Sequence, residues 1–486
     1  MTGNIKKQLD AIFYPRSIAF IGASNDRAKW GGRTLQRALR GGYRGRMYPV
    51  NPKEKVIQGL RAYESVLDIP DEIDLVAITV PAPMVPKVME DCVTKGVKGA
   101  VVISAGFAET GEEGRVLQDE LVRIAREGNI RVVGPNCMGI WSAPASLSLA
   151  FDPAPRGGPI AFISQSGTFG GYLMEAAGAK GYGFSRFVSA GNQADLSASD
   201  YLEYLAEDNE TKAIVFYLEG LNDGRRFYEI AREVIKHKPI ALYKAGRTSA
   251  AKRATLSHTG SLAGSDQIFD AMCRQVGILR AFEAVHPFDM AEAVSHQPIP
   301  AGKRVAIIAG GGGYCVSTAE ACASLGLELP LIDSETQKKI KAKLLPHAAW
   351  PVNPIDTAAD NRPGIISWIA EQLAELDYID GIIAQAPMLP LRIYDTEWIR
   401  QTLEATERFV SIPKKYGKPV IANVMGAIRD GNIVANMIHH ARIPMFDTPD
   451  DCARGMYAIM QYGEAQRKAL GQQLVAPRDD HHYPHR

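Results

Sequence analysis

The chain of 486 residues is 46% hydrophobic and 22% charged, with a formal net charge of +1. That is ordinary globular material, long enough for about two to four domains, and it leaves no electrostatic footprint for a nucleic acid or a membrane surface. No apolar run reaches bilayer-spanning length. Lys6, Lys7 and Asp10 interrupt any signal-peptide pattern at Met1–Phe13. The six cysteines are scattered without a CxxC pair, which points to reduced thiols in a cytoplasm and not to a disulfide frame or a metal site.

In chain order, three stretches share one pattern: a short apolar strand, a turn rich in glycine or serine, then a helix. They are Ser17-Ile18-Ala19-Phe20-Ile21-Gly22-Ala23-Ser24, Pro159-Ile160-Ala161-Phe162-Ile163-Ser164-Gln165-Ser166-Gly167, and Arg304-Val305-Ala306-Ile307-Ile308-Ala309-Gly310-Gly311-Gly312-Gly313. Strands alternating with helical stretches imply βα units and parallel sheets. Joints rich in proline and glycine at Asp152–Pro159 and Gln297–Gly302 suit domain boundaries. The fold class is therefore α/β, with three domains in series over 1–150, 151–298 and 299–468, and a polar tail over 469–486.

In the first domain the opening strand ends in Gly22-Ala23-Ser24, and Trp30-Gly31-Gly32 precedes an expected helix at Thr34–Leu39. Further strand ends fall at Pro49-Val50-Asn51-Pro52, Thr79-Val80-Pro81, Ser104-Ala105-Gly106-Phe107 and Gly134-Pro135-Asn136-Cys137. Ligands of such sheets lie at the carboxyl ends of the strands, and Gly22–Ser24 can turn backbone N–H groups toward a phosphate. A dinucleotide is the default ligand. However, GxGxxG is absent after Gly22, and Asn51 stands where an acidic residue would hold a ribose. Taken singly, each of these residues also reads as a plain turn former.

In the second domain Ser164-Gln165-Ser166-Gly167 opens a helix through Phe169, Leu173 and Ala176. The free N–H groups and partial positive charge of that helix start suit a phosphate. A hydrolase nucleophile at Ser164 or Ser166 would need GxSxG, which the run lacks. The strand Ala213–Leu218 ends in Glu219-Gly220. Downstream, Ala254–Gly264 sets His258 among Ser257, Thr259, Ser261 and glycines, between a strand at Ile240–Tyr243 and a helix from Asp266. An imidazole there can take up and hand on a phosphoryl group. Glu219 would accept a hydrogen bond from one ring nitrogen and free the other for attack. Read locally, His258 fits better as a loop histidine bonded to its neighbours. Glu219 fits nearly as well as a charge at a helix start.

The run Lys244-Ala245-Gly246-Arg247, followed by Ser257-His258-Thr259-Gly260-Ser261, resembles the nucleoside-diphosphate-forming acyl-CoA synthetases. These include ADP-forming acetyl-CoA synthetase and succinyl-CoA synthetase. Ile21–Ser24, Pro49–Pro52, Ser104–Phe107, Gly134–Cys137, Ser164–Gly167, Gly191-Asn192-Gln193-Ala194-Asp195 and Asn353-Pro354-Ile355-Asp356 follow in the family's order over most of the chain. The resemblance implies a Rossmann-like CoA-binding domain over 1–150, then two flavodoxin-like domains. The phosphohistidine would sit in 151–298 and the ligase domain in 299–468.

It further implies that His258 is transiently phosphorylated with support from Glu219, and that Ser164, Gln165, Ser166 and Gly167 hold the phosphate. Gly22, Ala23, Ser24, Asn51, Pro52 and Asn136 would lie at the CoA, with Asn136 and Cys137 in the motif facing the acyl site. Gly310–Gly313 would approach the same site, and Asp356 would line it or merely cap a turn. No ATP-grasp region is evident in the sequence. The resemblance therefore implies a separate ATP-grasp β subunit carrying ATP or ADP with Mg²⁺. The resulting hetero-oligomer would join a small carboxylic acid to CoA in the cytoplasm, releasing phosphate, with no metal held by this chain itself. The alternative is a CoA-binding regulatory or scaffold protein of the same fold without ligase activity.

Overall fold

The computed structural model describes residues 4–253, 264–386, 395–424 and 432–472. The chain divides into two compact units, Met1–Phe288 and Asp289–Arg486.

The first unit holds two large sheets and a two-stranded hairpin, Val56–Ile57 with Leu60–Arg61. One is five-stranded and parallel, in the order Arg46–Val50, Ser17–Ile21, Leu75–Ile78, Gly99–Val102, Arg131–Val133. Strands covered on both faces read as continuous apolar runs, and all of Leu75–Ile78 is buried. Helices Val85–Lys95 and Glu112–Glu127 bring Met89, Cys92, Leu121 and Ile124 into one core with Ile21, Val76 and Val102. A third helix buries Leu35 and Ala38, and it spans Trp30–Arg40 instead of starting at Thr34. Gly31 and Gly32 belong to its first turn despite their poor helix propensity. A Cβ on Gly31 would lie 1.9 Å from the Gly22 carbonyl oxygen, and one on Gly32 would lie 2.1 Å from that of Asp26. Bare backbone lets the helix start sit directly on the turn after the first strand.

The second sheet is seven-stranded, in the order Leu279–Ala281, Ile240–Lys244, Ala213–Leu218, Gly157–Ser164, Phe184–Ser189, Ile140–Ser142, Leu147–Ser148. Its last two strands are antiparallel and come from residues placed in the first domain by the sequence reading. The change of sheet thus falls between Val133 and Ile140, earlier than the expected boundary at 150. The cause is local. Gly134 at φ +95° and Asn136 at φ +57° turn the chain back, and Ser189 then receives it. The Ser189 hydroxyl accepts from Met138 N–H at 2.9 Å, and its N–H donates to the Gly139 carbonyl at 3.1 Å. Trp141 and Ile140 pair with Phe187 and Val188 and are buried there.

Asp195 joins the two sheets. Its carboxylate accepts from Arg131 Nε at 2.8 Å and from Val132 N–H at 3.0 Å. The first helix, Asn4–Phe13, spans them as well: Phe13 stacks on Tyr204 at 4.9 Å and its carbonyl accepts the Ser142 hydroxyl at 2.7 Å.

The second unit has a five-stranded parallel sheet in the order Ile355–Asp356, Val305–Ala309, Gly381–Gln385, Val420–Asn423, Met445–Phe446. Its core joins Ile308, Ile382 and Val420 to Ile369, Leu373 and Phe409 of the helices. Asn353 is structural: its side chain accepts from Ile307 N–H and donates to the carbonyls of Val305 and Pro330, each at 3.0 Å. Asp356 accepts Ala358 N–H at 2.8 Å, which is a turn-capping bond. Gly310 opens the turn before helix Gly312–Ser324, and its N–H is held by Gln385 Oε1 at 2.8 Å. Among the described residues no helix is long and apolar enough to cross a membrane.

Candidate active site

A crevice opens in a parallel sheet where successive connections run to opposite sides. In the second sheet the chain leaves Ser164 for Phe184–Ser189 on one side, then crosses to Ala213–Leu218 on the other. Gln165 and Glu219 are the first residues past those two adjacent strand ends. In the first sheet the equivalent point lies between Ser17–Ile21 and Leu75–Ile78, followed by Gly22 and Thr79.

A cleft of about 740 Å³ in the first unit is lined from both carboxyl edges. Thr79 and Ser104 come from the first sheet, Gln165, Gly167 and Glu219 from the second, and Asn136 from the turn between them.

The phosphate candidates divide. Ser166 and Gly167 line the cleft at the start of helix Gly167–Ala179, and Ser166 makes no side-chain capping bond there. The first N–H groups of a helix so opened suit an anion. Ser164 is fully buried and its hydroxyl donates to the Ser166 carbonyl at 2.6 Å, so its side chain shapes the turn and does not line the cleft. Gln165 lines the cleft, but its side chain is bonded to the backbone of Glu219 and Gly220.

Among the expected CoA residues, Asn136 lines the cleft. Gly22, Ala23, Ser24, Asn51 and Pro52 lie at the carboxyl edge of the first sheet, beyond that lining. Asn51 pins their turn: its Nδ2 donates to the Ala23 carbonyl at 2.9 Å and its Oδ1 accepts Lys53 N–H at 2.8 Å. Trp30 connects turn and cleft, because it lines the cleft and begins the helix seated on Gly22. Arg33 lies 4.9 Å over its ring.

Cys137 is no nucleophile. Its thiol donates to the Val102 carbonyl at 3.3 Å, and burial pushes its pKa up to about 12. His258 lies outside the described residues. The strand before it, Ile240–Lys244, pairs in parallel with Ala213–Leu218 and sets Lys244 opposite Leu218. The chain toward His258 therefore departs from the sheet edge that carries Glu219.

Among the cleft residues given no role from sequence are Glu109 and Asn192. Glu109 accepts from the N–H groups of Gly106 and Phe107 at 2.7 and 3.2 Å and from Asn192 Nδ2 at 2.6 Å. Asn192 also donates to Gln118 Oε1 at 2.9 Å and accepts from Asn136 Nδ2 at 3.3 Å. Burial raises the Glu109 pKa, but the bonds from Asn192 and from the backbone outweigh it and hold the carboxyl below its usual range. Asn192 stood in a recognisable strand-end motif. Nothing local marks Glu109, which is 83 residues away from it.

The comparisons agree with this architecture. Residues 16–143 match the model of a CoA binding domain, and residues 157–294 match that of the succinyl-CoA ligase like flavodoxin domain. The α subunit of ADP-forming acetate–CoA ligase II of Pyrococcus furiosus is 40% identical, over 93% of this chain and 97% of that one. The ADP-forming 4-hydroxybutyrate–CoA ligase of Nitrosopumilus maritimus is 32% identical, over 95% of this chain but 65% of that one. Acetyl-coenzyme A synthetase 1 of Ca. Korarchaeum cryptofilum, solved with phosphate and ADP, superposes with a TM-score of 0.84 at 34% identity, over 95% of this chain and 98% of that one. The chain is thus an α/β protein with a CoA-binding domain and a succinyl-CoA-ligase-type domain. It belongs to the ADP-forming acyl-CoA ligase family, within which it aligns over almost their whole length with the α subunits.

Proposed function

We propose that the chain is the α subunit of an ADP-forming acyl-CoA synthetase, converting a carboxylic acid, CoA and ATP to acyl-CoA, ADP and phosphate. The observation that carries this reading is the meeting, in one cleft, of Glu219 at a strand end with the uncapped start of helix Gly167–Ala179. A carboxylate to orient an imidazole beside a helix start to hold a phosphate is what a phosphohistidine relay requires. CoA binds at the Gly22–Ser24 turn with Asn51, Pro52 and Asn136.

In the acyl-CoA-consuming direction, a phosphate oxygen attacks the thioester carbonyl, the C–S bond breaks and CoA leaves as the thiol. The free ring nitrogen of His258 then attacks phosphorus, and the P–O bond to the acyl group breaks to release the carboxylate. The phosphoryl group passes to ADP. Nucleotide and Mg²⁺ belong in this reading to an ATP-grasp β subunit, and the pair works in the cytoplasm. The relatives named as α subunits, at 40% and 38% identity, support a separate partner.

The test is labelling. The chain, its ATP-grasp partner, Mg²⁺ and γ-labelled ATP should give acid-labile, base-stable label that is absent from His258→Ala and His258→Asn. No label from a partner shown to be competent would leave a CoA-binding protein without ligase activity.

A further inference from the structure

We infer that Gln165 is a positioning residue for Glu219 and not a ligand of the phosphate, an inference that rests on the relay proposed above. The Gln165 N–H donates to the Tyr217 carbonyl at 3.1 Å, which carries the sheet ladder one residue past Ser164. From there its side chain continues the ladder. Oε1 accepts the N–H groups of both Glu219 and Gly220, the latter at 3.1 Å, and Nε2 donates to the Gly220 carbonyl at 2.9 Å. Two backbone donors face Oε1, so the carboxamide has one orientation only.

The carboxamide stands in for a strand peptide where the strand itself has ended. It fixes the Glu219–Gly220 peptide at the switch point between two parallel strands. The other side of that strand end is held too, since the Leu218 carbonyl accepts Ala245 N–H at 2.8 Å. Ser164 fixes the start of the Gln165 turn through its hydroxyl on the Ser166 carbonyl at 2.6 Å. A carboxylate that must orient one ring nitrogen while the other attacks tolerates little displacement: an error of about 1 Å costs on the order of a hundredfold in rate.

The test is a double-mutant cycle on the full chain with its ATP-grasp partner. Its readouts are the initial rate of histidine labelling from γ-labelled ATP, the KM for CoA in the overall reaction, and thermal melting. Gln165→Met keeps the shape and removes every side-chain hydrogen bond; Gln165→Ala is the second variant. Each should lower the labelling rate by about tenfold to a hundredfold. The KM for CoA should stay within about twofold, because CoA is held by another sheet. In a Glu219→Gln background, Gln165→Met should add less than about twofold, since its effect passes through a carboxylate already removed. Where Glu219→Gln leaves no measurable rate, Glu219→Asp takes its place, because its shortened carboxylate is already displaced from the position that Gln165 fixes.

An unchanged rate in both single variants overturns the inference. So does a full further loss in the double variant, which would mean that Gln165 meets the phosphate directly. If the wild-type chain takes no histidine label from a competent partner, the relay itself falls. Labelled wild type with additive variants overturns this inference alone.

Discussion

Arg186 and Asp208 pair at 3.2 Å inside the first unit, with side-chain exposures of 0% and 4%. The guanidinium also donates to the Tyr14 hydroxyl at 2.5 Å and the Ser185 carbonyl at 2.9 Å. It lies 4.8 Å over the Tyr14 ring and 5.7 Å over that of Phe13. These rings end the first helix, so the pair ties that helix to the second sheet. Removing one partner of a buried pair strands the other charge, at a cost of about 3–5 kcal/mol, whereas replacing both can be close to neutral. Asp208→Asn should therefore melt well below wild type, and Arg186→Met with Asp208→Asn should recover most of the loss. Equal melting of single and double variants would show that water reaches the stranded guanidinium.

The Gly22–Gly31 approach carries a second prediction. A Cβ at Gly31 meets the Gly22 carbonyl, which is backbone and has no rotamer to yield. Gly31→Ala must displace either the helix start or the turn, at a cost near the upper end of the ~1–3 kcal/mol typical of overpacking. CoA affinity should fall by at least about tenfold, measured by calorimetry. Gly178→Ala is the control: it lies in helix Gly167–Ala179 with nothing within 4 Å of the added carbon. It should be neutral or stabilising by about 0.5–1 kcal/mol. Normal CoA binding by Gly31→Ala would place the cofactor away from this turn.

Glu109 gives the pH prediction. Its folded pKa is depressed below 4.5, the value it takes free. A depressed carboxylate contributes stability that is present above its unfolded pKa and is lost as pH falls through the folded one. The melting advantage of wild type over Glu109→Gln should therefore be constant from pH 7 down to about 5 and shrink steadily below about 4.5. Melting curves across that range check it, and an advantage that grows with acid would reverse the assignment. The same variant should weaken substrate binding in the cleft, since Glu109 holds Asn192 against Gln118 and Asn136.

Much of the cleft's lining was legible because strand ends announce themselves. Apolar runs closed by Gly22, Gln165, Glu219 or Gly310 are parallel strands, each with its turn at the carboxyl edge of its own sheet, and Ser166, Gly167, Glu219 and Asn136 line the cleft. The contacts that the sequence did not show are those whose partners are distant along the chain. Gln165 was expected by resemblance to hold the phosphate, and its side-chain bonds run to the backbone at Glu219, 54 residues away. Ser164 was expected by resemblance to hold the phosphate, and the strands on either side bury its side chain. The helix at Trp30 starts early because of a carbonyl at Gly22, a contact that propensity does not see.

By itself the sequence determined the class of fold, α/β with parallel strands. Hydrophobic period and turn chemistry are properties of a few consecutive residues. The tertiary structure alone decided which sheet receives 140–148: Trp141 pairs with Phe187, and the Ser189 hydroxyl holds Met138 N–H at the start of that return. It alone decided that Glu109, Asn136 and Asn192 share one network. Such partnerships depend on packing between elements far apart in sequence, where the choice is made by burial and hydrogen-bond satisfaction over the whole unit.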